Sequence, residues 1–309
     1  TNTVTAPGAS DAGVIRVKGT NRGLVAKTDC NGRYVYLNPR RGGQIAVVES
    51  ARNVVCSGGK PLAITNCLNF GNPYKPEVYW TFKEALGGMG DACKALNTPV
   101  TGGNVSFYNE NPNSAIFPSP IIGMLGLIED VEKHTTTPGF KDDGDIVLYI
   151  GATRKGLGGT EYLKKIHGLT TGDAPELDIP FEVKLQESLL EAIKAGFITA
   201  AHDISDGGLA ITLAEMAIYS GKGVNITIKN FVGSEREVLF SEAQSGIVIT
   251  VKAENLPTAL AHFDENKVPT NVLGTVSGNS KLKIEEIGEL DIKEMAEIYE
   301  GVLPGIMNN

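Results

Sequence analysis

Residues 61–73 read PLAITNCLNFGNP, and residues 100–106 read VTGGNVS. Pro61–Thr65 is a short apolar run that empties into a cluster of turn-formers, the pattern of a strand ending in a polar loop. Before it, Ile45, Val48, Ala51 or Arg52, and Val55 recur at three- and four-residue intervals, which predicts an amphipathic helix after Gly42-Gly43. After it, a helix is expected over about Val78–Leu96, stopped by Asn97 and Pro99. Val100–Ser106 then reads as a strand interrupted by glycine, and Pro120–Ile128 (PIIGMLGLI) as a buried strand. Such alternation predicts a sheet covered by helices.

The same grammar extends outward. Residues 1–22 are turn-rich apart from Val14–Val17. Gly23–Thr28 and Tyr34–Leu37 read as short strands about the loop Asp29–Arg33. Glu129–Asp145 is polar and carries Pro138-Gly139 and Asp142-Asp143-Gly144-Asp145, which is linker chemistry. The expected domains are therefore 1–130 and 131–309. In the second, the buried strand Ile146–Ile150 feeds a glycine-rich loop, GATRKGLGGTEYLKK (151–165), that opens a helix. Glu182–Gly196 is a helix, and HDISDGGLAITLAEMA (202–217) is a turn followed by one. Val224, Ile226 and Ile228 alternate as a half-buried strand, Ile247–Val251 is wholly apolar, and Asp291–Val302 is a terminal helix with Pro304 just beyond. The class is α/β or α+β, in two domains.

Composition narrows the function. With 309 residues the chain can bury sizeable cores without disulfides. Its net charge of −8 argues against a nucleic-acid or anionic-membrane partner, although a local basic pocket stays open. No run approaches a membrane span, and the first residues lack the basic and apolar regions of a signal peptide. Cys30, Cys56, Cys67 and Cys93 form no C-x-x-C pair, so free thiols in a cytoplasmic protein are expected. The 37 glycines follow no repeat and point to tight turns and close backbone approaches.

Several strings can carry chemistry. In Thr101–Ser106, glycines after a strand let backbone N–H groups face phosphate oxygens. Asn104 offers a carbonyl oxygen suited to Mg²⁺, and Ser106 falls on the same strand face. A glycine bulge with a turn-forming Asn is the alternative. Asn66, at the end of its strand, could meet a nucleotide, or belong to an Asx-turn cluster beside a buried Cys67. In His202–Leu209, Asp203 and Asp206 could hold a hard cation, or Asp206 could cap a helix. Gly156–Thr160 matches neither a dinucleotide fingerprint nor a Walker loop. Glu242 and Gln244 alternate onto one face, as a site or a solvated strand edge. Arg40-Arg41-Gly42-Gly43 is a basic spot at a helix start that reads better as a solvated turn than as a phosphate contact.

Taken in order, YVYLNPRRGGQIAVVESARNVVCSGGKPLAITNCLNFGNPYKPEVYW, GMGDACKALNTPVTGGNVSFYNE, GLGGTEYL and HDISDGGLAITLAEMA closely resemble the phosphoribosylformylglycinamidine synthases over about residues 8–305. The match is to the C-terminal half of the synthetase subunit of the small bacterial type. The resemblance implies the two-domain aminoimidazole ribonucleotide synthetase-like fold: an α+β first domain pairing its sheet with a partner copy, then an α/β domain with a mixed sheet covered by helices. It implies an ATP- and Mg²⁺-dependent ligase of de novo purine synthesis that converts formylglycinamide ribonucleotide and glutamine-derived ammonia to the amidine. ATP phosphorylates the amide oxygen, and ammonia attacks the iminophosphate.

Carried over residue by residue, the resemblance puts Asn66 and Gly103 against ATP, Asn104 on magnesium and Ser106 on the ribonucleotide. Asn66 departs from the Asp of many relatives. The resemblance implies no catalytic residue in this half, because the catalytic histidine lies in the first half. The chain starts at Thr1 and so looks entered in the middle. Glu242-Ala243-Gln244 stands for a substrate-holding E-S-Q string, with Ala243 in place of Ser. Asp203 and Asp206 read as structural remnants of a metal-binding region. The implied partners are the first half of the subunit, a glutaminase subunit, a small bridging subunit, or a second copy of this chain. The alternatives are a non-catalytic nucleotide-binding assembly module and a complete related enzyme such as aminoimidazole ribonucleotide synthetase.

Overall fold

A computed structural model of the protein describes residues 2–5, 10–152 and 155–307. In chain order the elements are β1 (Gly13–Arg16), β2 (Gly23–Asp29), α1 (Gly32–Leu37), α2 (Pro39–Cys56), β3 (Lys60–Asn69), α3 (Pro76–Leu96), β4 (Val100–Ser106) and β5 (Ser119–Ile128). There follow α4 (Val131–His134), β6 (Ile146–Gly151), α5 (Glu161–His167), α6 (Ile179–Ala195), β7 (Ala200–Asp203), α7 (Gly208–Ser220) and β8 (Gly223–Ile226). The chain ends with α8 (Glu235–Phe240), β9 (Gly246–Val251), α9 (Leu256–Glu265), β10 (Thr270–Ser277), β11 (Lys281–Ile284), β12 (Gly288–Asp291) and α10 (Ile292–Met307).

The first sheet runs β1-β2-β5-β3-β4, with β4 parallel to β3 at one edge. The alternation in β5 is regular: Ile122, Met124 and Ile128 are buried, while Ile121 and Leu125 are exposed. The buried face packs with Val25, Ile64 and Leu68 against α2 and α3. The opposite face leaves Leu24, Leu62, Ile121 and Leu125 exposed. The second sheet runs β12-β11-β8-β10-β6-β9-β7 and is mixed, because β11 is parallel to β8 while its other pairs are antiparallel. Strands β6 and β9 lie inside it, next to the β7 edge, and are buried on both faces, with one core around α7 and another around α6 and α9.

Several local expectations change. Tyr34–Leu37 is helical, because Asn31 caps α1 by accepting from the Arg33 N–H, and Tyr34 and Val35 then turn into the interior. Helix α2 starts at Pro39, so Gly42-Gly43 lies within it. A Cβ on Gly43 would sit 2.3 Å from the Ala85 carbonyl oxygen, so glycine is what lets α3 approach. Strand β3 continues to Asn69 through the expected turn, and Cys67 is only half-buried. His202-Asp203 belongs to β7, not to a turn. Asp206 is not a cap: α7 begins after Gly207 without a side-chain cap. Pro304 lies inside α10. Arg40 and Arg41 pair with Asp91 and Asp173 from inside α2. Of the glycine-rich loop, residues 153 and 154 lie outside the described residues.

Candidate functional site

Strand β4 forms the edge of the first sheet, and Val100–Val105 are all exposed. Its register sets Gly103 opposite Asn66 and Asn104 opposite Cys67. At Gly103 φ is +154°, and a Cβ there would lie 2.1 Å from Asn66 Oδ1 and 2.5 Å from the Asn66 carbonyl oxygen. The Asn66 amide therefore lies over the glycine, and no larger residue fits beneath it. Ser106 is half-buried at the strand end, where its hydroxyl and Asn109 Nδ2 are 3.1 Å apart. Asn109 Nδ2 also donates to the carbonyls of Phe70 and Ser106. The four expected residues thus share one corner of the sheet, open to solvent. It offers glycine backbone, two amides and a hydroxyl, and no carboxylate. Such donors fit phosphate oxygens and one neutral ligand of a hard cation, whose charge must be balanced elsewhere.

A second constellation lies between the sheets. Arg52 of α2 is fully buried. Its Nη1 meets Glu182 Oε1 at 2.9 Å, and its Nη2 meets Gln244 Oε1 at 3.0 Å and Glu49 Oε2 at 3.4 Å. Its Nε lies 3.5 Å from Asp203 Oδ2. Burial opposes the guanidinium charge, but Glu182, Asp203 and Glu49 outweigh it and hold the group protonated. Burial pushes the Glu49 carboxyl well above its usual range, Asp29 adds to this, and Arg52 offsets part of it. Gln244 is 2% exposed and Glu242 is 0% exposed, so the solvated-edge reading fails for both. Glu242 accepts from the Tyr34 hydroxyl and from the N–H groups of Glu161 (2.7 Å) and Gly207 (2.8 Å). Burial still raises its carboxyl to about 7.

Asp203 accepts from Asn53 Nδ2 at 3.1 Å, and its own N–H donates to Asp11 Oδ2 at 3.2 Å. His202 faces Asp11 through Nδ1 at 2.6 Å and Glu215 through Nε2 at 3.1 Å. Burial disfavours its charge, yet Asp11 and Glu215 hold the imidazole well above the ordinary histidine range. Asp11, His202 and Asp203 bring metal-ligand atoms within 4.8 Å of one another. Asp206 stands apart, accepting from Asn31 Nδ2 at 2.9 Å. Asp203 and Asp206 therefore serve different networks.

Above Glu242 and Gln244 lie two adjoining clefts of about 490 and 360 Å³ that share Arg41, Lys155, Glu176 and Ala243. Gly158 closes against the Asp173 backbone: a Cβ would lie 2.6 Å from its carbonyl oxygen. Sequence reasoning missed Asp11, Tyr34, Glu49 and Glu182. One signal was present: Arg52 stands in an apolar helical repeat, where a charge implies a buried counter-charge.

Residues 9–128 match the model of the AIR synthase related protein N-terminal domain, and residues 142–286 match that of the C-terminal domain. The chain is 47% identical to phosphoribosylformylglycinamidine synthase subunit PurL of Alkaliphilus metalliredigens, over 100% of this chain and 42% of that protein. It is 50% identical to the subunit of the same name from Salinibacter ruber, over 98% of this chain and 41% of that one. The chain thus spans less than half the length of these relatives. Among solved structures, Thermotoga maritima PurL superposes with a TM-score of 0.74 in its complex with ATP, at 17% identity, over 92% of this chain and 46% of that one. Its complex with FGAR gives 0.76 at 15% identity, over 96% and 47%. At such identities the likeness shows the fold alone.

Proposed function

From the premise that this chain belongs to the AIR synthase related protein family, with both an N-terminal and a C-terminal domain, we propose that it forms the C-terminal half of a phosphoribosylformylglycinamidine synthase subunit. In this reading it supplies one wall of a composite pocket for ATP and formylglycinamide ribonucleotide and is catalytically incomplete alone. One observation carries the reading: the exposed edge where Asn66 lies over Gly103, beside Asn104. Gly103 lets the nucleotide phosphates reach the backbone, and Asn66 hydrogen-bonds the nucleotide. The Asn104 carbonyl oxygen is the neutral ligand of a magnesium ion, and Ser106 hydrogen-bonds the ribonucleotide. When bound, Mg²⁺ supplies neutralisation of phosphate charge. The chain's own residues hold the amide oxygen toward the γ-phosphate, so proximity and preorganised donors do the work.

The missing wall, with the catalytic histidine, comes from the first half of the subunit. We assign to it the open face of Leu24, Leu62, Ile121 and Leu125. A glutaminase subunit and a small bridging subunit complete the ammonia supply, in the cytoplasm. The domains divide at residues 130 and 131, a boundary supported by the end of β5 at Ile128.

The test is ADP release with ATP, Mg²⁺, formylglycinamide ribonucleotide and ammonia. The chain alone is expected to be silent. Mixed with the first half of the Alkaliphilus subunit, it is expected to turn over, and Asn104→Ala to lose ten-fold or more (an order-of-magnitude figure). Turnover at an ordinary enzyme rate by the chain alone, or indifference of the mixture to Asn104→Ala, defeats the reading.

The apolar sheet face also favours a second reading, a non-catalytic nucleotide-binding module that pairs with its own copy. Heat of MgATP binding to a dimeric chain, with no activity in the mixture, selects it. A complete related enzyme is disfavoured by the NCLNFGNP and GGNVSFYNE strings, and ADP release on aminoimidazole synthetase substrate would revive it.

A further inference from the structure

Resting on the assignment of Ser106 to the ribonucleotide, we propose that Asn109 is a positioning residue that takes up the only hydrogen of the Ser106 hydroxyl. Ser106 then meets the substrate as an acceptor. The group it reads is a hydrogen-bond donor, a ribose hydroxyl or an amide N–H, and not a phosphate oxygen.

Strand β4 ends at Ser106, and the chain then curls back onto Phe70. The Ser106 carbonyl accepts from the Phe70 N–H at 3.0 Å, and the Asn109 N–H donates to the Phe70 carbonyl at 3.1 Å. The curl passes through Tyr108, whose φ of +60° lies in the left-handed region that a tyrosine seldom adopts. The Tyr108 side chain stays 56% exposed, so burial does little to offset that strain. What the turn achieves lies at the next residue: it returns the Asn109 amide to the end of β4.

Counting hydrogens fixes the direction of the contact. Asn109 Nδ2 lies 2.9 Å from the Ser106 carbonyl oxygen and 3.0 Å from that of Phe70. Two carbonyls admit only the NH₂ end of the amide, and they use both of its hydrogens. The third Nδ2 contact, to Ser106 Oγ at 3.1 Å, therefore has no hydrogen to fill it. Asn109 Oδ1 then faces the hydroxyl at 3.3 Å, and among the described residues Ser106 is its only donor. A hydroxyl has one hydrogen and two lone pairs. With the hydrogen turned to Asn109, the lone pairs are what half-buried Ser106 offers a ligand. Truncating Asn109 should not unravel this corner, because the Ser106 carbonyl keeps the Phe70 N–H and the Phe70 carbonyl keeps the Asn109 N–H.

The experiment has two parts. In the free chain, hydrogen exchange by NMR follows the Asn109 side-chain NH₂ pair, identified by its loss in Asn109→Ala. It should exchange more slowly than the pair of exposed Asn113. Equal rates overturn the proposal whatever the kinetics. In the mixture with the first half of the Alkaliphilus subunit, Asn109→Ala and Ser106→Ala should each raise KM for formylglycinamide ribonucleotide about ten-fold, the effect of one hydrogen bond. KM for ATP should change less than about two-fold. The double variant should cost no more than Ser106→Ala alone, since Asn109 acts through that hydroxyl. Substrate analogues lacking the 2′-hydroxyl or the 3′-hydroxyl, or methylated at either amide nitrogen, then identify the donor. One of them should lose about ten-fold in kcat/KM with wild type and nothing with Ser106→Ala. If Ser106→Ala leaves KM for the ribonucleotide unchanged, the assignment of Ser106 fails and the proposal with it. If Ser106→Ala raises that KM and Asn109→Ala does not, or if the two effects add, the proposal alone is overturned. It is also overturned if the penalty that vanishes in Ser106→Ala is that of the analogue without phosphate.

Discussion

Glu242 accepts three hydrogen bonds and still titrates near 7, because burial disfavours its anion more than the Tyr34 hydroxyl and two backbone N–H groups favour it. Its carboxyl is raised on folding, so the folded chain keeps a proton that the unfolded chain loses at lower pH. The contribution to stability is fully present below the unfolded value of about 4.5 and is lost as pH rises toward about 7. Glu242→Gln should flatten that part of the profile. Its amide can still accept both N–H groups through one oxygen and donate to the Tyr34 oxygen. Urea midpoints at pH 5 and pH 8 should therefore differ less in the variant than in wild type, and an unchanged difference refutes the assignment. The sequence displayed Glu242 and Gln244 on one face, but whether that face met water depended on Tyr34 and Arg52, both distant in the chain.

At the scale of elements, α2 and α3 pack through small residues. A Cβ on Gly88 would lie 1.9 Å from the Arg40 carbonyl oxygen. Gly88→Ala should gain about 1 kcal/mol of helix propensity and lose about 1–3 kcal/mol to overpacking, so the net change is destabilising. Urea denaturation measures it, and a stabilised variant would show that the helices can part. The long helices were legible because 3.6-residue periodicity and the Asn97 and Pro99 stops are local signals. Helix α1 was not, because Tyr-Val-Tyr-Leu has strand-forming residues and only the Asn31 cap and the interior contacts of Tyr34 select a helix. Strand β7 was hidden for a similar reason: its His202-Asp203 pair is buried by partners at Asp11, Asn53 and Glu215.

At the scale of the molecule, the outer face of the first sheet leaves Leu125 40% exposed and Leu24 and Leu62 each 41% exposed. A contiguous apolar face of this kind drives association. The chain should therefore self-associate. Leu125→Lys should make it monomeric by light scattering, with little change in melting temperature because the side chain is already partly in water. A wild-type chain that is strictly monomeric at high concentration contradicts this.

By itself the sequence determined the alternation of strands and helices, the two-domain class, and the glycine-and-amide string at the sheet edge. Each of these is written in neighbouring residues through periodicity, turn chemistry and backbone freedom. Only the tertiary structure decided that Asn66 lies over Gly103, and that Arg52 is enclosed by Glu49, Glu182, Asp203 and Gln244. Those arrangements depend on strand register, which sets Asn66 against Gly103, and on the seating of α2 against the second sheet, which brings Arg52 to Gln244, 192 residues away in the chain.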